Sequence, residues 1–220
     1  MFLIDSANLK TIKTLNETYT FSGITTNPSL MAKERRTDFL HHLKELRNAM
    51  PKATLYVQVN AEEKEEMLEE IKAFKSVLNP PFMIKVPATK AGFALMKEEV
   101  DVEVAMTGIS DFFQALEAIA SGAKTLIIYV SRMLQNGHDP YQLIKDIRQV
   151  IEMQNLEVRL IGASFKSKSE IKQAMLSGLD QVTIKPTLLE TLFLNPLTET
   201  SVKQFSKEFN ARYQKRFIKS

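Results

Sequence analysis

The chain reads as a closed (β/α)8 barrel, a ring of parallel strands with helices outside and one further helix appended at the C-terminus. Three observations predict it. Short apolar runs alternate with amphipathic segments, and eight such runs can be counted, each followed by helical material. Strands that alternate with helices build parallel sheets from βαβ units. No G-x-G-x-x-G turn follows the first run, so an open dinucleotide-binding sheet has no support. A length of 220 residues suits a single barrel domain over 1–220.

The elements follow in order. Residues 2–4 are an apolar strand that stops at Asp5. Ser6 and Asn8 can cap a helix over 8–16, where Leu9, Ile12 and Leu15 recur at helical spacing. A second strand spans 21–25. It leads through Thr25-Thr26-Asn27-Pro28-Ser29 into another helix, with Pro28 in the first turn, where its missing N–H matters least. Phe39, Leu40, Leu43 and Leu46 line one face of a helix over 38–49, and 54–59 is the third strand. Met67, Leu68, Ile71 and Phe74 mark a helix over 62–75 whose acids and lysines face water. Asn79-Pro80-Pro81 breaks it, and the strand 82–87 follows. Helices over 90–99, 111–121, 140–154 and 169–177 then alternate with strands over 102–106, 125–130, 157–162 and 181–184. A short helical piece lies near 188–194. The last helix, 198–217, carries Val202, Phe205, Phe209, Tyr213 and Phe217 as an aromatic stripe. It falls outside the eightfold scheme and has no barrel face left to claim. It is expected to pack on a neighbouring subunit, making a homo-oligomer.

Composition excludes several classes of function. A net charge of +3 gives no case for a nucleic-acid binder. The chain has no cysteine, which removes disulfides, thiolate nucleophiles and thiolate metal sites. No apolar run approaches the ~18 residues needed to span a bilayer. The first residues lack the basic and apolar stretches of a signal peptide. A soluble cytoplasmic protein without membrane partners is the expectation.

The strand Phe82-Met83-Ile84-Lys85-Val86-Pro87 organises the rest. Lysine is rarely buried, and burial lowers its pKa toward the neutral, nucleophilic amine. Lys85 is therefore a candidate Schiff-base residue. On the strand alone, an edge position facing water or a salt bridge out of the core is the preferred reading, because perturbed lysines are rare. The surroundings favour chemistry. Barrel active sites sit at the C-terminal strand ends. Those ends collect Asp5, Thr25 and Asn27, Gln58, Lys85, Thr107, Tyr129 with Arg132, and Ser164 with Lys166. Hydrogen-bonding groups and cations around one amine suit a polyhydroxy carbonyl phosphate. Metal-dependent carbon–carbon lyases need clustered ligands. His41 and His42 are adjacent and would point about 100° apart on a helix, and His138 lies in a polar loop. All three are read as solvated surface residues, and neither a metal nor another cofactor is expected.

Gly23-Ile24-Thr25-Thr26-Asn27-Pro28-Ser29, Ile84-Lys85-Val86-Pro87 and Ala163-Ser164-Phe165-Lys166 resemble motifs of the transaldolase family, particularly its short fructose-6-phosphate aldolase-like branch. The similarity runs from Asp5 to the C-terminal helix. It implies a class I mechanism with Lys85 as the Schiff-base lysine and Asp5 assisting carbon–carbon cleavage. It implies that Thr25 and Asn27 orient substrate, and that Arg132, Ser164 and Lys166 hold a sugar phosphate. It also implies rings of five that pair into decamers, so the expected homo-oligomer is a pentamer or decamer. Transaldolases proper carry a glutamate on the third strand and typically a phenylalanine on the sixth. This chain has Gln58 and Tyr129, with Thr107 where the family has its water-binding threonine. An amide cannot take a proton as a carboxylate does, and a phenol near the imine nitrogen can supply the relay.

Some positions depart from the family pattern. Lys166 stands where transaldolases proper often have arginine, and lysine lacks the bidentate fork. Ile127 is bulky where relatives have small residues. Lys185, after the last strand, adds a cation near the mouth; it either aids phosphate binding or is simply exposed, and exposure is the expectation. The expected activity is cleavage of fructose 6-phosphate to dihydroxyacetone and glyceraldehyde 3-phosphate. The alternatives are transfer of the dihydroxyacetone unit between sugar phosphates, and a non-catalytic sugar-phosphate-binding barrel.

Overall fold

The computed structural model describes residues 2–213; Phe217 and the end of the predicted last helix lie outside the described residues. The chain runs β1 (Phe2–Asp5), α1 (Leu9–Thr18), β2 (Gly23–Thr25), α2 (Pro28–Lys33), α3 (Phe39–Ala49), β3 (Thr54–Gln58) and α4 (Lys64–Val77). It continues as β4 (Phe82–Pro87), α5 (Lys90–Leu95), β5 (Val104–Ile109), α6 (Phe112–Ala120), β6 (Thr125–Tyr129), α7 (Val130–Gln135) and α8 (Pro140–Met153). It ends with β7 (Arg159–Ala163), α9 (Lys168–Leu176), β8 (Gln181–Ile184), α10 (Pro186–Phe193) and α11 (Pro196–Tyr213). The strands are all parallel and close in sequence order, with β8 returning to β1. This is the expected (β/α)8 barrel with a C-terminal helix.

Side chains alternate across each strand with period two, so every second residue points into the barrel. Leu3, Tyr56, Met83, Ala105, Ile127 and Ile161 form one packed cluster there. Two residues further along most of these strands stand Asp5, Gln58, Lys85, Thr107 and Tyr129. The apolar layer thus sets the polar layer above it, at the C-terminal mouth. The intervening residues, among them Ile4, Ile84, Val86, Leu126 and Ile128, are fully buried beneath the helices. Gly23 permits this packing, because a Cβ there would lie 2.5 Å from the Thr54 carbonyl oxygen and 3.1 Å from the Tyr56 ring.

Several elements differ from the sequence reading. β5 does not stop before Thr107-Gly108 but runs on to Ile109, with its register against β6 shifting between Thr107 and Ile109. Gly108, at φ +79°, takes up this bulge, so a glycine that reads as a strand end lies inside the strand. β2 and β7 each start two residues later than predicted, at Gly23 and Arg159. The six-residue α7 was not expected, because it is too short to show a period.

His42 corrects the expectation of a surface histidine. It is only 1% exposed, and its Nε2 lies 2.9 Å from the Ala7 carbonyl oxygen. It shares the inward face of α3 with Leu43, Leu46 and Arg47, whereas His41 is exposed. Arg47 is buried as well, and donates to the five carbonyls of Met50, Pro51, Ala53, Asn79 and Pro80. One guanidinium thereby satisfies the turns before β3 and β4.

The chain divides into a unit ending at Leu188, which contains the barrel strands, and one beginning at Leu189. Within the second unit α11 has no buried residue, and Val202, Phe205, Phe209 and Tyr213 are exposed. Among the described residues no helix is long and apolar enough to cross a membrane.

Candidate active site

The β4 strand puts Lys85 on the inner face above Met83, and the side chain is 4% exposed. Its Nζ donates to the Thr26 carbonyl at 2.7 Å. Burial pulls its pKa down to about 8. The Asp5 charge opposes that fall, and the Arg132 charge adds to it. Burial pushes the Asp5 carboxyl up from its ordinary value, against the pull of the Lys85 charge, the Thr25 hydroxyl and the Lys185 charge. Each group thus sits closer to neutrality than it would in water, with the charge of the other holding it back.

The remaining groups are placed by local rules. Thr25 Oγ1 donates to Asp5 Oδ1 at 3.1 Å and also meets the hydroxyl of Thr183. Asn27 is the N-cap of α2, where its Oδ1 accepts from the Leu30 N–H and leaves its amide NH2 for other partners. Gln58 Oε1 is buried and, among the described residues, has no hydrogen-bond donor. Thr107 donates to the Tyr129 hydroxyl at 3.3 Å. Arg132, on α7, stacks over the Tyr129 ring, 4.6 Å from its centroid.

Ser164 follows β7 in the left-handed region at φ +66°, unusual for a serine. Its carbonyl accepts from the Ser131 N–H at 3.1 Å. Glu170 completes this corner, accepting from both the Ser131 hydroxyl and the Lys166 backbone N–H. The Arg132 helix and the Ser164 loop are joined by these bonds.

A cavity of about 340 Å³ opens at this mouth. It brings together Asp5, Thr25, Asn27, Gln58, Lys85, Tyr129, Arg132 and Ser164, eight of the ten residues singled out in the sequence. Thr107 does not line it and stands behind Tyr129, reaching it through the phenol. Lys166 does not line it either; Phe165 turns inward to 4% exposure, and Lys166 is exposed. Ile127 lines the floor as a bulky wall. Sequence reasoning missed Thr183 and Lys33, and Lys185, though exposed as expected, also lines the cavity. Thr183 carried a usable signal, being the inward residue of β8 by alternation. A larger cavity of about 840 Å³ opens around the strand starts and holds none of the singled-out residues.

A buried amine of lowered pKa, beside a carboxyl of raised pKa, equips this mouth with a nucleophile and a proton carrier. Among the described residues no three His, Asp or Glu side chains converge as metal ligands.

Comparison with known proteins fits this geometry. A probable transaldolase of Halalkalibacterium halodurans is 32% identical over 215 residues, covering 96% of this chain and 99% of that protein. A probable transaldolase of an Exiguobacterium species is 31% identical over 211 residues, covering 95% and 97%. Among solved structures, one from Burkholderia cenocepacia assigned as a phosphonomutase superposes with a TM-score of 0.61 at 11% identity, covering 92% of each chain. Flavocytochrome b2 gives 0.59 at 10% identity, covering 84% of this chain and 56% of that one. At such identities these two structures speak for the barrel alone. The family model for transaldolase/fructose-6-phosphate aldolase matches residues 2–219, and the chain belongs to that family.

Proposed function

We propose that this protein is a class I aldolase that cleaves fructose 6-phosphate to dihydroxyacetone and glyceraldehyde 3-phosphate. The Lys85 amine adds to the ketose carbonyl carbon, and loss of water gives an iminium. The C4 hydroxyl passes its proton to Asp5 as the C3–C4 bond breaks. The bonding electrons move into the iminium to form an enamine, and glyceraldehyde 3-phosphate departs. Protonation of the enamine carbon and hydrolysis of the imine then release dihydroxyacetone and restore the amine. Tyr129, held by Thr107, moves the proton, and Gln58 aligns water. Thr25 and Asn27 orient the substrate hydroxyls. Arg132 and Ser164 hold the phosphate, and Lys166 adds its charge from outside the cavity wall.

The single observation carrying the branch assignment is the pairing of an amide, Gln58, with a phenol bonded to Thr107. Transfer of the three-carbon unit to erythrose 4-phosphate is the second reading, favoured by the names of the relatives. Free dihydroxyacetone is measured with and without erythrose 4-phosphate. Release that does not need the acceptor supports the aldolase; a seven-carbon ketose phosphate formed with the acceptor, and no free dihydroxyacetone without it, supports the transaldolase.

A further inference from the structure

Asp5 is held from both flanks of its strand. β1 pairs with β2 on one side and with β8 on the other. Asp5 stands level with Thr25 of β2, and Leu3, two residues below it, stands level with Thr183 of β8. Alternation therefore turns all three polar side chains inward. β2 and β8 do not pair with each other, yet the Thr25 and Thr183 hydroxyls meet across the strand between them. Asp5, Thr25 and Thr183 are all buried.

The direction of these bonds follows from counting protons. An ionised carboxylate only accepts, and a threonine hydroxyl has one proton and two lone pairs. Thr25 gives its proton to Asp5 Oδ1, so its bond to Thr183 forms only with Thr183 as the donor. The chain runs from Thr183 to Thr25 to Asp5, and each bond polarises the next. Among the described residues Asp5 Oδ2 has no hydrogen-bond donor. An inward threonine is ordinarily barrel filling whose hydroxyl takes any partner within reach. Thr183 takes its partner on the residue that grips the one carboxyl lining the cavity.

We propose that Thr183 is a positioning residue for Asp5: by donating to Thr25 it commits the Thr25 proton to Oδ1, and leaves Oδ2 as the atom that exchanges a proton with the substrate. This role rests on the reading of Asp5 as the base in carbon–carbon cleavage. It also limits Thr25, whose hydroxyl then meets a substrate only as an acceptor, through its remaining lone pair. Without the Thr183 hydroxyl, Thr25 keeps an unfilled lone pair in a buried place and donates more weakly. The Thr25 bond holds the Asp5 carboxyl down, so weakening it lets burial push that group further up. The charges of Lys85 and Lys185 also hold it down, and Lys33, Tyr129 and Arg132 share the cavity. These groups are the same in every variant compared below.

Carbon NMR of protein labelled at the aspartate carboxyls reads the Asp5 midpoint directly, with the Asp5→Asn spectrum identifying its signal. Thr183→Val keeps the branched shape and strand preference of threonine and loses only the hydroxyl. It is expected to raise the Asp5 midpoint by about half a pH unit or more, roughly threefold in the ionisation constant. Thr183→Ser keeps the hydroxyl and should stay within about 0.2 unit of the intact protein. In a Thr25→Val background, Thr183→Val should change nothing, because its effect passes through Thr25. An unmoved midpoint in Thr183→Val overturns the proposal, as does a shift of equal size in the Thr25→Val background. With fructose 6-phosphate, kcat for cleavage should fall about tenfold in Thr183→Val at a KM within about twofold, less than the ~10²–10⁴ of a whole general base, and recover in Thr183→Ser. A loss carried by KM alone marks a substrate contact and overturns the positioning role. If the intact protein cleaves no fructose 6-phosphate, the aldolase reading fails by itself, and the titration still decides whether Thr183 acts on Asp5.

Discussion

Replacing Lys85 with methionine should stabilise the protein near neutral pH while abolishing any imine chemistry. The amine's pKa falls from 10.5 in the unfolded chain to about 8 in the fold. Between those two values the unfolded chain holds the proton that the folded chain has lost. Stability therefore rises with pH across this window, by about 1.4 kcal/mol per pH unit. Below pH 8 both states are protonated, and the penalty of burying the charge stays at its full value, about 3 kcal/mol. Methionine is close in length and carries no charge. Against this gain, the Thr26 carbonyl loses the donor it has at 2.7 Å, which costs about 1–3 kcal/mol. The net gain at pH 7 is then about 1 kcal/mol, and it should become a net loss of about 2 kcal/mol above pH 10. Urea unfolding of both proteins at pH 7, 8, 9 and 10 tests this, at one protein concentration because assembly shifts apparent stability. The informative quantity is the difference between the two proteins, in which the other lysines and tyrosines cancel. A difference that stays flat from pH 7 to 10 means that Lys85 titrates as an ordinary lysine, and the argument for a preformed nucleophile collapses.

Other perturbations follow from the same contacts. Asp5→Asn removes the charge that holds the Lys85 pKa up, so the pH midpoint of borohydride trapping should move down, whereas Arg132→Gln should move it up; equal midpoints in all three proteins would contradict the electrostatics. Gln58→Glu should shift product toward transfer, and Tyr129→Phe should cut dihydroxyacetone release by about 10²-fold or more, the usual worth of a positioned proton donor; an unchanged release-to-transfer ratio in both refutes the branch assignment. Arg47→Met should destabilise by roughly 3 kcal/mol or more, since five carbonyls lose one shared donor; a loss under about 1 kcal/mol in urea unfolding would mean that water replaces it freely. We propose that the exposed stripe of α11 joins subunits, so Phe205→Ser/Phe209→Ser should lower the mass seen by light scattering, and an unchanged mass removes that role.

The barrel was readable because its signals repeat. Strands such as Phe82–Pro87 and Thr125–Tyr129 are apolar runs rich in β-branched residues, and Lys85 and Tyr129 fall at or near their C-terminal ends. The site was readable for a related reason. Lys85 and Gln58 sit two residues beyond interior apolar residues, and period two carries both onto the same face. Most of what escaped lacked a local signal. His42 is buried because α3 rolls its Leu43–Leu46–Arg47 side inward, and its spacing of four from Leu46 carried that signal, which the reading of polar residues as solvated overrode. Thr107-Gly108 has the composition of a strand end, and only pairing with β6 reveals a bulge. Lys166 follows a motif serine, yet a left-handed residue reverses the chain and turns its side chain out. Lys33 reaches the cavity from the last position of a helix, where charge patterning predicts nothing but solvent.

Glu170 ties the Arg132 helix to the Ser164 loop through two bonds to one carboxylate oxygen. If that corner grips the phosphate, it does so at a fixed span from the amine on β4. A rigid span works as a ruler for the sugar chain. It accepts the number of carbons that sets carbonyl over Lys85 while phosphate meets Arg132, and a chain one carbon shorter or longer must give up one of the two contacts. Selection by chain length would then reside in a carboxylate that never touches the substrate.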